Sequence, residues 1–203
     1  MRQTPVFIES DPDEVKRLIR DNPWATIVSH TTGGLVASHY PVVLEENAEG
    51  ISIVSHVGRP DERLHELGEH EVLVIIQGPH GYISPAAYDA DEIIPTWNHV
   101  TAHLYGVPEI LSDEENYRVL TELVDHFEGR MPHPVSLDQD DAGSRRAAKG
   151  TVGIRIRVTR FDARRKLSQN KSSAVRERVI EQLESGPYAQ PSLAEEMRRG
   201  DAS

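Results

Sequence analysis

Ile93 to Leu111 reads IIPTWNHVTAHLYGVPEIL, and the way this stretch folds decides how the chain around it is read. Pro95 ahead of it and Gly106 and Pro108 within it oppose a helix, whereas Val100, Thr101 and Tyr105 favour extended chain. As a strand, it places Val100, Ala102 and Leu104 on one face and His99, Thr101, His103 and Tyr105 on the other. The first face suits a core. The second is polar enough to meet a ligand or a second subunit. His99 and His103 have the spacing that grips zinc from a helix, but on a strand they stand roughly 13 Å apart, too far for one ion.

Working outward towards the N-terminus, Asp11-Pro12-Asp13-Glu14 opens a helix with a capping Asp, Pro at its first position and Glu three residues past the cap. Val15, Leu18 and Ile19 form its apolar stripe, and Asn22-Pro23 stops it. Trp24–His30 and Leu35–Leu44 follow as strands joined through Thr31-Thr32-Gly33-Gly34, and Ile51–Val57 is a third, which predicts a three-stranded antiparallel meander opening a small barrel. Glu71–Gln77 is a fourth strand, apolar on both faces, and Gly78–Tyr82 is read as a loop. Ser112-Asp113-Glu114-Glu115 caps a helix whose stripe is Tyr117, Leu120, Leu123, Val124 and Phe127. Met131–Asp141 is a loop, Ala142–Lys149 a short helix, and Thr151–Phe161 a half-exposed strand whose outer face carries Arg155 and Arg157. Arg164–Lys171 is a polar cluster that looks like part of a site. A helix capped by Ser172 or Ser173 turns Val175, Val179, Ile180 and Leu183 inward. The expected organisation is one domain over residues 1–185 and a short tail over 186–203, of doubtful order, with one or two helical turns before Gly200.

Composition bounds the class. With 203 residues, 37% of them hydrophobic and no Cys, the chain can bury a sizeable core but has no disulfide, thiol nucleophile or thiolate metal site. No apolar run fits a signal peptide or a membrane span, so the expected location is cytoplasmic. The net charge is −11, yet Ala142–Arg178 carries twelve Lys or Arg against two acids. Such asymmetry marks a phosphate-binding face, a nucleic-acid face, or a basic segment lying on acidic neighbours.

Two stretches carry chemistry. In SHVGRPDERLHELG, His56 and Arg59 lie where a strand end meets a helix start, which combines backbone N–H groups with a permanent cation and suits a phosphate. Asp61 and Glu62 weaken that site, and a solvated helix start is the competing reading. The second is the opening stretch itself, with its Trp, Asn and two His.

The runs GPHGYISPAAY (78–88), PTWNHVTAHLYG (95–106) and RKLSQNKS (165–172), taken together, resemble the PaiB-type FMN-binding negative transcriptional regulators over nearly the whole chain. That resemblance implies a mainly β fold with flanking helices (α+β), an antiparallel split β-barrel of the FMN-binding type, usually a homodimer with flavin at the subunit interface. It places His56 and Arg59 at the phosphate, and it matches Thr96, Trp97 and Asn98 to the family's PTWN and Lys166, Gln169 and Asn170 to its KLSQN. His99 stands where the family commonly has an aromatic residue. FMN needs cations for its phosphate, donors for its ring carbonyls and a flat apolar wall. Arg59, Lys166 and His56 suit the first, Asn98 and Gln169 the second, Trp97 the third. Two functions stay open: a repressor modulated by flavin, with DNA contact through Ala142–Arg178, or a flavin-dependent oxidoreductase or haem-binding or haem-degrading relative, with haem in place of FMN. No general acid or base stands out.

Overall fold

A computed structural model describes residues 4–89 and 91–200. In chain order the elements are β1 (Ile8–Glu9), α1 (Pro12–Asp21), β2 (Trp24–Thr31), β3 (Gly34–Pro41), β4 (Val43–Leu44), β5 (Ser52–Gly58), α2 (Arg59–Leu64), β6 (Val72–Ile83), β7 (Thr96–Gly106), β8 (Pro108–Ile110), α3 (Asp113–Glu128), α4 (Asp141–Ala148), β9 (Thr151–Arg157), β10 (Arg160–Lys166), α5 (Ser173–Ser185) and α6 (Pro191–Arg199). All the strand pairs seen are antiparallel, as in a split barrel with flanking helices. Among the described residues no helix is long and apolar enough to cross a membrane.

The chain forms two compact units, Met1–Leu18 with Gln77–Ala102 and Asp162–Ser203, and Ile19–Ile76 with His103–Phe161. Neither is a continuous stretch. The chain passes between them inside α1, β6, β7 and β10, so no linker divides them.

In the second unit, β2 and β3 form the expected hairpin, Trp24 facing Pro41 and Thr31 facing Gly34, with Gly34 supplying a φ of +111° at the turn. The Glu66 carboxylate accepts from the backbone N–H of Thr32 at 3.1 Å and from its hydroxyl, which fixes that turn. The meander stops there. Leu35–Leu44 breaks at Val42 into β3 and β4, and β5 pairs with β4 and β9 in a separate sheet of order β4-β5-β9-β8. Alternating apolarity cannot reveal this switch, because it fixes which face a strand buries and leaves its neighbour open. Val54, Leu111, Val119 and Leu123 form one core cluster between this sheet and α3. Gly106 is required by contact: a Cβ there would lie 2.4 Å from the Arg157 carbonyl oxygen.

The half-exposed, basic β9 is corrected. Gly153 and Arg155 are buried along with Val152, Ile154 and Ile156. Arg155 keeps its charge because Glu45 at 3.0 Å, Glu109 at 3.5 Å and Glu115 at 3.8 Å surround its guanidinium. The predicted loop Gly78–Tyr82 is also corrected, since β6 runs from Val72 to Ile83. Proline's φ suits extended chain, and neither Gly78 nor Gly81 takes a positive φ, so nothing in GPHG forces a turn.

The first unit contains β1, the adjoining parts of β10, β7 and β6, α5 and α6. Arg164–Lys166, expected as a polar cluster, lies in β10, where Ile8 faces Arg164 and Glu9 faces Ala163. The segment after Gly186, expected as a tail, forms α6, whose Leu193, Ala194 and Met197 are buried against the rest of the unit. A short apolar stripe beside Gly-Pro reads as a tail; here burial of Leu193, Ala194 and Met197 docks it, and ion pairs surround it. Glu9, Glu14 and Glu196 meet Arg17, Arg165 and Arg199: Arg17 to Glu196 at 2.8 Å, Arg199 to Glu14 at 2.5 Å, Arg165 to Glu14 at 3.4 Å and to Glu9 at 3.5 Å.

The hydrogen bond from Arg199 holds the Glu14 carboxyl at about 2, below its ordinary 4.5. A depressed acid stabilises the fold fully above its unfolded value and loses that contribution as pH falls through the folded one. Thermal unfolding followed from pH 5 down to about pH 2 will therefore show a falling Tm, and Glu14→Gln will flatten that slope while lowering the Tm at neutral pH.

Candidate functional site

The PTWN and KLSQN runs, seventy residues apart at their contact, come together in the first unit. Pro95 delivers the chain extended into β7, so Thr96, Trp97 and Asn98 begin a strand with alternating exposure. Lys166 ends β10, and its ammonium donates to the Thr96 hydroxyl and, at 2.7 Å, to the Trp97 carbonyl. Asn98 points inward and is completely buried. Its amide donates to Ser168 Oγ at 2.9 Å and to Met197 Sδ at 3.6 Å, and the Ser168 hydroxyl also lies 3.3 Å from Asn98 Oδ1. Ser168 adopts φ +61°, and this left-handed turn lets Gln169 fold back. Gln169 Oε1 accepts from the Leu167 N–H at 2.7 Å, while its amide donates to the Arg165 carbonyl. Asn170 is exposed.

Trp97 points the other way and is 55% exposed. The His80 ring stacks on it at 6.3 Å and 27°, and Tyr82 meets it edge-on at 6.3 Å. His99, next along β7, lies 3.3 Å from the Thr101 hydroxyl. Burial lowers its pKa, and the neighbouring Lys166, His80 and Arg164 lower it further, which favours the neutral imidazole. The result is an exposed indole flanked by a stacked imidazole and an edge-on phenol ring beside an ammonium group, with Asn98 tied to the Ser168 hydroxyl and Gln169 to the neighbouring backbone. Sequence reading named Trp97 and Lys166 but missed His80, Tyr82 and Ser168. Had Gly78–Tyr82 been read as a strand, the two-residue spacing of His80 and Tyr82 would have put both on one face.

His56 and Arg59 belong to the second unit. His56 is partly buried, its Nδ1 has no hydrogen-bond partner among the described residues, and burial lowers its pKa. Arg59 opens α2, where its N–H donates to the Gly150 carbonyl at 3.1 Å, its Nε donates to the Lys149 carbonyl at 2.6 Å, and Asp113 lies 3.5 Å from its guanidinium. Asp61, in the same first turn, accepts from the Tyr40 hydroxyl at 2.7 Å. The helix start is thus tied to protein partners.

The basic segment lies on acidic neighbours. Arg145 pairs with Glu114 and Asp141, both at 3.1 Å, Arg157 with Glu109 at 2.5 Å and Arg160 with Glu71 at 2.6 Å. Lys171 pairs with Glu92, and Arg178 with Asp89 at 2.7 Å. Of the three meanings of the charge asymmetry, this pairing realises the last.

The fold is a split barrel, and sequence places the chain in the PaiB-type family. The family model described as "Putative FMN-binding domain" matches residues 1–160, and the chain belongs to that family. It is 33% identical over 181 residues to the protease synthase and sporulation protein PAI 2 of Bacillus subtilis (strain 168), covering 88% of this chain and 86% of the relative. Among solved structures it is similar to an FAD- and haem-binding protein from Mycobacterium smegmatis, with a TM-score of 0.59 at 16% identity over 84% of this chain and 78% of the other. The flavocytochrome Anf3 from Azotobacter vinelandii gives a TM-score of 0.58 at 15% identity over 81% and 72%. At these identities the two structures speak for the fold.

Replacing Asn98 by Ala removes the partner of a buried hydroxyl. An unsatisfied buried polar group costs about 1–3 kcal/mol. The urea midpoint of Asn98→Ala will drop accordingly with an unchanged m-value, and an unaltered midpoint would show that the Asn98–Ser168 contact contributes nothing.

Proposed function

We propose that the chain binds FMN against Trp97, with Lys166 supplying the cation for the phosphate. One observation carries this reading: in a chain of an FMN-binding family, the indole of the PTWN run is exposed while the residues on both sides of it are fixed by Lys166 and Ser168. A large aromatic held in place yet open to solvent is a wall for a planar ligand. FMN supplies redox chemistry when bound; the chain's own residues bind and orient it. Asn98 and Gln169, whose amides are used internally, position the wall, and Arg59 anchors α2. His80 and Tyr82 extend the aromatic surface.

The role that follows is regulatory flavin binding. His99, two residues from Trp97 along β7, is a candidate for proton transfer, and ligand sensing needs no more acid–base equipment than this. Direct DNA contact through Ala142–Arg178 would require its cations to exchange carboxylate partners for phosphates, so repression would run through another surface or another protein. We also propose a homodimer, because in the first unit Ile93, Ile94 and Trp97 are all more than half exposed, large apolar surface that a second copy would cover.

The visible spectrum of the protein mixed with FMN tests the first proposal, flavin bands co-eluting with protein being the expected result. Lys166→Ala will weaken FMN roughly ten- to a hundredfold more than it weakens riboflavin, which lacks the phosphate and loses only the hold of Lys166 on the Trp97 backbone. Trp97→Ala will weaken both ligands alike with little change in Tm. Equal loss of both ligands in Lys166→Ala would move the phosphate elsewhere. Sedimentation at micromolar concentration will show a dimer; a monomer there removes the homodimer from the account.

A further inference from the structure

The first unit also holds a cavity of about 240 Å³ that the FMN reading does not use. Tyr82 and Ser84 at the end of β6, Val179, Gln182 and Leu183 on α5, and Tyr188 beyond it form most of its lining, and none of its nine lining residues is charged. Val179 and Leu183 make a dry floor, 1% and 2% exposed. The Tyr82 and Tyr188 rings meet edge-to-face, 5.2 Å apart at 64°. Two polar groups remain for a guest. The Gln182 amide makes no hydrogen bond among the described residues, and Ser84 Oγ, which accepts from the Ala86 N–H at 3.2 Å, keeps its proton to donate.

Size and chemistry select the guest. An apolar cavity of roughly 150 Å³ stays dry and takes benzene, so the present volume suits one substituted ring or two fused rings. A site without a counter-charge rejects ions, because desolvating a charge there is unrecovered, and this bars the phosphate of FMN. Two tyrosine rings already in edge-to-face contact offer a third ring both an edge and a face. We propose that this cavity is a binding site for a neutral planar aromatic molecule of one or two rings bearing one hydrogen-bonding group. The inference goes beyond the flavin reading and does not rest on it, although Tyr82 is also the ring that meets Trp97 edge-on.

Titration of the full chain with phenol, indole, toluene and benzoate, followed by calorimetry and amide NMR shifts, tests it. Phenol and indole will bind saturably at one per chain, and benzoate at least tenfold more weakly than phenol. Gln182→Leu will weaken phenol roughly three- to tenfold, the size of one hydrogen bond, and leave toluene unchanged. Ala86→Phe, which fills the cavity mouth from an exposed position, will abolish binding. Absence of saturable phenol and indole binding, benzoate binding as tight as phenol, or an Ala86→Phe protein that binds like the parent would each overturn the proposal. Should Ala86→Phe fail to fold by circular dichroism, Tyr188→Ala, at a 66% exposed wall, takes its place, with weakened binding expected and unchanged binding fatal. FMN absorbance in the same samples reads the Trp97 site separately, so either reading can fail while the other stands.

Discussion

Three acids and three arginines, Glu9, Glu14 and Glu196 with Arg17, Arg165 and Arg199, hold the first unit together. They come from β1, α1, β10 and α6, so the charge balance can close only when all four elements are in place. Partly buried ions of this kind add little net stability over an apolar substitute, but losing one member strands another without compensation. The cluster also reaches the site by direct sequence adjacency. Arg165 precedes Lys166, whose ammonium fixes the Trp97 backbone, and Glu196 precedes Met197, whose sulfur receives the Asn98 amide. The exposed indole is therefore presented by a frame whose rigidity comes from ions that lie outside the binding surface.

The same solution recurs in the second unit, where the buried Arg155 sits among Glu45, Glu109 and Glu115. A chain with a net charge of −11 and a +10 segment thus spends much of its basic charge on its own carboxylates. The outward field is that of an acidic protein, which favours solubility and discourages loose contact with nucleic acid.

Much of this was legible in the residues. The helix caps at Asp11, Ser112 and Ser172 act locally, and each helix starts where its cap says. The β7 alternation was equally plain, since burial of Val100, Ala102 and Leu104 needs only period two. What escaped was non-local. Nothing within Ile51–Val57 announces that its partner is β9, and nothing in FDARRK announces a strand, because its stability depends on carboxylates more than a hundred residues away and on β1. At the site, the resemblance named PTWN and KLSQN together and the two runs do touch, but direction did not follow from residue type. Asn98 and Trp97 are neighbours, and the strand turns one inward and the other out.

The pairing of Ile8 with Arg164 has a consequence for biosynthesis. The partner of the first strand is made 156 residues later, and the Leu193–Met197 stripe of α6 later still. At about 5–20 residues per second, the nascent N-terminal segment waits roughly 8–30 s for its partners. The second unit, whose hairpin is complete by Pro41, can begin to organise earlier in synthesis than the unit that presents Trp97, which needs β10 and α6.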